Sequence, residues 1–123
     1  MRLEKVTYSC YNINMKTFQA EYTNEALKQI EELEYNNKKK IFKAINLFEY
    51  LGKNAKNSRD LSNNGLFEIK ADNIRAYFKY FENKIIIIGL IVLKKTQKAP
   101  KRFILQAIKN IDKYIAERGN NNE

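Results

Sequence analysis

Hydrophobic and polar positions alternate with two different periods along this chain, and the change of period marks its elements. TFQAEY, Thr17 to Tyr22, alternates with period two and places Phe18, Ala20 and Tyr22 on one face of a short strand. Ala26, Leu27, Ile30 and Leu33 then recur at helical spacing behind Thr23 or Asn24, both good N-caps. Tyr35-Asn36-Asn37 reads as a break, followed by a second helix over Lys38 to Leu51 with Ile41, Ile45 and Phe48 as its stripe and Gly52 just past its end. The pair forms an αα-hairpin. Lys53 to Gly65 is polar and reads as a loop closed by the turn Asn63-Asn64-Gly65.

Period two returns at Leu66 to Lys70 and again at Ile74 to Phe81, around the turn Ala71-Asp72-Asn73. Ile85 to Leu93 follows the turn Glu82-Asn83-Lys84 and is almost wholly aliphatic, as suits a strand covered on both faces. A final helix is expected from Pro100, with Phe103, Ile104, Ala107, Ile108, Ile111 and Ile115 as its stripe and Gly119 at its end. The order β-α-α-β-β-β-α predicts an α+β domain: an N-terminal strand, an αα-hairpin, a three-stranded antiparallel meander with helices on one face, and a C-terminal helix. The domain is expected over residues 16–119. Residues 1–15 alternate only in part and read as an arm or an added edge strand; residues 120–123 read as a disordered tail.

Composition changes this picture in two ways. The chain has 123 residues with 44% hydrophobic content, enough for one core. Its net charge of +9 selects a polyanion as partner: nucleic acid, a ribosome, an anionic surface or an acidic protein. The sequence contains no histidine and a single cysteine, Cys10. A Ser-His-Asp triad, a two-histidine nuclease mechanism and an imidazole-ligated zinc site are therefore excluded, and no internal disulfide can form. The longest apolar run is about half of what a membrane helix needs, and MRLEKVTYSC lacks a signal-peptide layout, so a cytoplasmic location is expected.

The candidate chemistry lies between Lys70 and Arg102. If Phe67, Ile69, Ala76 and Phe78 face the helices, then Lys70, Arg75, Tyr77 and Lys79 share the outer face. Lys94 and Lys95 arrive from the third strand, and Lys98, Lys101 and Arg102 continue the basic run. Cations in that density neutralise phosphates, and aromatics among them offer stacking surfaces to unpaired bases. The plain alternative for any one of these residues is a solvated strand charge.

The run LFEIKADNIRAYFKYF, a hydrophobic strand, and then LKKTQKAP before a helix resembles the RelE/ParE toxin superfamily, and within it the phage-derived, HigB-like branch. TFQAEYTNEALKQIEEL resembles that superfamily's first strand and helix, so the likeness spans about residues 15–118. It implies a toxin of a type II toxin–antitoxin pair, an mRNA endoribonuclease acting on the ribosome without metal or other cofactor. Its partners would be the ribosome and mRNA, and a cognate antitoxin, in this branch usually a helix-turn-helix DNA-binding protein. Carried over position by position, the family's arginine falls on Arg75, its basic strand end on Lys70, its paired lysines on Lys94 and Lys95, and its glutamate, in a structural role, on Glu68. The chain departs from the pattern at Phe78 and Lys79, flanked by Tyr77 and Tyr80, and lacks the histidines of some HigB-like relatives; Tyr114 lies near the end of the last helix.

The chemistry would be attack of a ribose 2′-OH on the adjacent phosphate, with Arg75 stabilising charge, a lysine of the set Lys70, Lys94 and Lys95 as base, and Tyr77 in proton transfer or stacking. Lys79, Lys98, Lys101 and Arg102 would bind RNA. Two other readings remain: a ParE-type gyrase inhibitor of the same fold, and a non-catalytic RNA- or ribosome-binding module.

Overall fold

The computed structural model describes residues 16–63, 65–94 and 99–121. Residues 1–15, Cys10 among them, as well as Lys95 and Lys98, lie outside the described residues. The elements are β1 (Gln19–Tyr22), α1 (Asn24–Glu31), α2 (Tyr35–Leu51), a 3-10 turn (Gly52–Asn54), β2 (Ser58–Asn63), β3 (Leu66–Ala71), β4 (Ile74–Phe81), β5 (Ile85–Leu93) and α3 (Lys101–Asn121).

Thr23 caps α1 by accepting a hydrogen bond from Ala26 N at 3.1 Å. The break between the first two helices falls at residues 32–34, one turn earlier than the asparagines suggest, and Tyr35-Asn36-Asn37 forms the first turn of α2. Gly52 ends α2 at φ +57, and a Cβ there would meet the Phe18 ring at 3.0 Å. Gly119 does not end α3, which continues to Asn121.

The sheet has five strands in the order β1-β5-β4-β3-β2: the expected antiparallel meander is its β3-β4-β5 part, and β1 and β2 extend it at the two edges. β1 runs parallel to β5, with Gln19 opposite Ile85 and Tyr22 opposite Ile88; the remaining pairings are antiparallel. β2 occupies the segment expected to be a loop. It pairs Ser58 with Ile69, Arg59 with Glu68 and Asp60 with Phe67, and forms a hairpin with β3 through Gly65 at φ +77.

Helices cover both faces of the sheet, not one. On one face Ile41, Ile45 and Phe48 of α2, with Ala26 and Ile30 of α1, pack on Ile69, Ile74, Ala76, Phe78, Ile86, Ile88 and Ile91. On the other face α3 packs Ile104, Ala107 and Ile111 over Tyr77, Ile87 and Leu90. A bulge reconciles β5 with both layers. Tyr77 pairs with Leu90 and Phe78 with Ile88, so Gly89 has no partner on β4. The extra residue lets Ile86, Ile88 and Ile91 face α1 and α2 while Ile87 and Leu90 face α3. Gly89 is also where α3 comes closest: a Cβ would stand 2.5 Å from Ile111 Cγ1 and 2.9 Å from the Ala107 carbonyl.

Candidate functional site

Period-two geometry places Glu68, Arg75 and Tyr77 on the α3 face of the sheet, and the registers bring them together: Glu68 lies opposite Tyr77, and Lys70 opposite Arg75. α3 packs over β5 and β4. At the β2 end of the same face, Lys56, Asn57, Ser58, Arg59, Glu68, Lys70 and Arg75 line a pocket of about 140 Å³.

Glu68 sits at the centre of this pocket's electrostatics. It is buried, and three cations approach it: Arg59 Nε at 2.8 Å from Oε1, Lys94 Nζ at 3.4 Å and Arg75 Nε at 3.7 Å from Oε2. Arg75 Nη1 also donates to the carbonyls of Asp72 (2.6 Å) and Ile74 (3.1 Å), which ties the guanidinium to the β3–β4 turn. The side chains of Arg75 and Lys94 are only 8% and 2% exposed, so Arg75 lies in the pocket's floor and Lys94 is buried beside it, and neither is the solvated cation expected of a surface strand. Such burial is stable only with a counter-charge in contact. Lys56, Arg59 and Lys70 are exposed and form the rim. Cations outnumber the single carboxylate, so the pocket remains anion-seeking after Glu68 is neutralised.

Burial is the largest influence on the Lys94 ammonium and lowers its pKa; Glu68 opposes that effect, and Arg75 and Arg59 reinforce it. Crowding by neighbouring cations is therefore the lesser cause. Tyr77 is fully buried beneath α3. It offers no stacking face, which removes that expectation. Desolvation first, and then the Glu68 carboxylate, raise its hydroxyl above the ordinary tyrosine range, so it keeps its proton at neutral pH.

The other residues singled out in the sequence lie apart from this cluster. Lys79 reaches Asp112 on α3 at 3.8 Å, at the opposite end of β4. Lys101 and Arg102 are exposed on the first turn of α3, where the Arg102 guanidinium stands 4.8 Å from the Phe103 ring centre. Tyr114 belongs to a different cluster: its hydroxyl donates to Glu21 Oε1 at 2.8 Å, and Arg118 donates to both oxygens of Glu21 at 3.0 Å. That cluster fastens the far end of α3 to β1, across the sheet from Glu68.

Sequence reasoning missed Arg59 and Lys56, because the segment carrying them was read as a loop. The available signal was Asn64-Gly65 directly before a strand, a hairpin signature that implies a partner strand on its other side. Among the described residues no cluster of three or more metal-ligating side chains occurs, and no helix is long and apolar enough to cross a membrane.

No curated protein sequence matches the chain significantly. Among solved structures, it is similar to the archaeal RelE–RelB complex from Pyrococcus horikoshii OT3, with 16% identity, a TM-score of 0.53, and 68% of this chain and 99% of that chain covered. The RelBE2 toxin–antitoxin complex from Mycobacterium tuberculosis matches with 16% identity and a TM-score of 0.48, over 65% of this chain and 94% of that one. The first likeness shows a shared fold, the RelE-like one. The family model described as phage derived protein Gp49-like (DUF891) matches residues 28–112, a span that includes α2, the whole β2–β5 sheet and the pocket. The chain therefore belongs to the Gp49-like family of phage-derived proteins, a RelE-like toxin family.

Proposed function

We propose that this protein is the toxin of a toxin–antitoxin pair and cuts mRNA on the ribosome. One observation carries the reading: Arg75 of β4 and Lys94, just past the end of β5, meet at Glu68 beside a pocket rimmed by Lys56, Arg59 and Lys70. An RNA phosphate fits that charge distribution. Arg75, with its planar fork of donors, and Lys70 stabilise the dianionic phosphorane. Lys94 or Lys95, in its neutral form, takes the proton of the 2′-OH. The 2′-oxygen forms a bond to phosphorus, the bond to the 5′-oxygen breaks, and the Lys70 ammonium protonates the departing oxygen. The products are a 2′,3′-cyclic phosphate and a 5′-OH. Lys95 and Lys98 follow Lys94 in the chain and add positive charge to the same reading.

A toxin of this kind acts in the cytoplasm and is held by a cognate antitoxin, whose acidic residues would cover the rim. The solved structure whose fold this chain shares is that of a RelE–RelB complex, which supports the reading of a bound partner.

The test is induction of the protein in bacteria with primer extension on a translated message. Wild-type protein is expected to arrest growth and leave new message ends. Lys70→Ala, at an exposed rim position, is expected to abolish cleavage without unfolding the protein. Unchanged cleavage by Lys70→Ala overturns the assignment of the pocket. Intact message alongside inhibited gyrase overturns the nuclease reading.

A further inference from the structure

Asn57 lines the basic pocket and also a second hollow, of about 280 Å³, on the α2 side of the sheet. The second hollow has a different character. Its floor is apolar, built from the buried Ala44 and Ala71, with Leu47 at its edge, 45% exposed. Its rim carries Lys40, Lys43 and Asp72. Lys40 spans the rim to Asp72 at 3.0 Å, while Lys43 has no ion-pair partner among the described residues. An apolar floor under a cationic rim matches a nucleotide, whose flat base sheds water and whose phosphate seeks charge.

We propose that this hollow is a subsite for an unpaired RNA nucleotide flanking the phosphate held in the basic pocket, with its base against Ala44, Leu47 and Ala71 and its phosphate on Lys43. The inference rests on the reading of the basic pocket as an RNA site and extends it around Asn57. The net positive rim attracts any polyanion; continuity with the basic pocket through Asn57 favours a strand of RNA over an acidic protein segment. The substrate contacted by the protein is then several nucleotides long, not one phosphate.

The experiment measures fluorescence anisotropy of labelled 2′-O-methyl oligouridylates of two to eight nucleotides, which lack the attacking hydroxyl. For the wild-type chain, affinity is expected to climb about ten-fold from dimer to hexamer, the scale of about 50 Å² of apolar surface buried under one base. Lys43→Glu and Leu47→Ser, both at exposed positions on α2, are expected to flatten that climb while leaving dimer binding within about two-fold. Lys70→Ala is expected to weaken every length. Should the two α2 variants climb as steeply as wild type while Lys70→Ala still weakens binding, the subsite falls and the basic pocket stands. Should wild-type protein bind no length, both fall. Binding of oligoglutamate that Lys43→Glu abolishes, with RNA binding untouched, assigns the hollow to an acidic protein and overturns the proposal.

Discussion

The Lys94 ammonium lies 3.4 Å from the Glu68 carboxylate, and both side chains are almost completely withdrawn from solvent. The same carboxylate also serves Arg59 and Arg75. Replacing it by an uncharged amide leaves buried cations uncompensated, which costs about 3–5 kcal/mol. Glu68→Gln is therefore expected to be strongly destabilised in urea titrations. Lys94→Met added to Glu68→Gln should cost at least about 1 kcal/mol less than the sum of the single changes, since the two residues act as a pair. Strict additivity would show that the contact contributes nothing.

The burial of Lys94 has a consequence for pH dependence. Its folded pKa is depressed, whereas the unfolded chain keeps its proton up to the ordinary 10.5. Between those two points the unfolded state binds more protons, so stability rises with pH. Tyr77, with a raised pKa, acts in the opposite sense, but only above its ordinary value of 10.0. Urea titrations from neutral pH up to that limit should show wild-type stability rising relative to Lys94→Met. Parallel curves would mean that the ammonium is not buried in solution.

Arg75 and Lys70 face each other across β3 and β4 and should behave differently. Arg75 holds the β3–β4 turn through the carbonyls of Asp72 and Ile74, so Arg75→Ala should lose about 2–3 kcal/mol of stability. Lys70 is exposed, and its removal should change stability by no more than about 0.5 kcal/mol. Thermal melts decide the matter. Lys70→Ala is thus the cleaner probe of activity.

Gly89→Ala tests the close approach of α3. The new methyl would stand 2.5 Å from Ile111 Cγ1, and the Ala107 carbonyl at 2.9 Å blocks the other way out. Overpacking of this kind costs about 1–3 kcal/mol, or roughly 10 °C in melting temperature for a domain of this size. A melt within a degree of wild type would refute the packing described between α3 and the bulge.

Glu21 is held below the usual carboxylate range, first by its hydrogen bonds from Arg118, with burial opposing and Tyr114 adding to the effect. A depressed carboxylate contributes stability that is present above its unfolded pKa and lost as pH falls through the folded one. Glu21→Gln should therefore be destabilised at neutral pH, by no more than about 1 kcal/mol after solvent screening, and the difference should shrink under acid conditions. Urea titrations at neutral and acid pH check this. An unchanged difference would assign the effect to shape, not charge.

Much of this architecture was readable because hydrophobic periodicity reports which faces are buried. The three antiparallel strands β3 to β5, both helices of the hairpin and α3 all appear as periodic apolar positions. β2 escaped because SRDLSN holds one apolar residue, Leu61; this edge strand is tied in by backbone pairing and by Arg59 on Glu68. The second helical layer escaped because Arg75, Tyr77 and Lys79 alternate like a solvent face, yet Tyr77 lies under α3. The site was half legible. The convergence of Lys70, Arg75 and Lys94 follows from strand order. The burial of two of those cations does not, because it depends on Glu68, which is recognisable as a hub only once the registers are known.

The parallel pairing of β1 with β5 has a kinetic meaning. The β2 to β5 hairpins that build the pocket join neighbours in the chain and can zip locally. β1 must wait, since Thr23 meets Gly89 across 66 positions. Loop closure of that length is entropically slow, so the late step in folding should be the docking of the amino-terminal strand onto a preassembled sheet. On the ribosome, that step cannot occur until β5 has emerged from the exit tunnel.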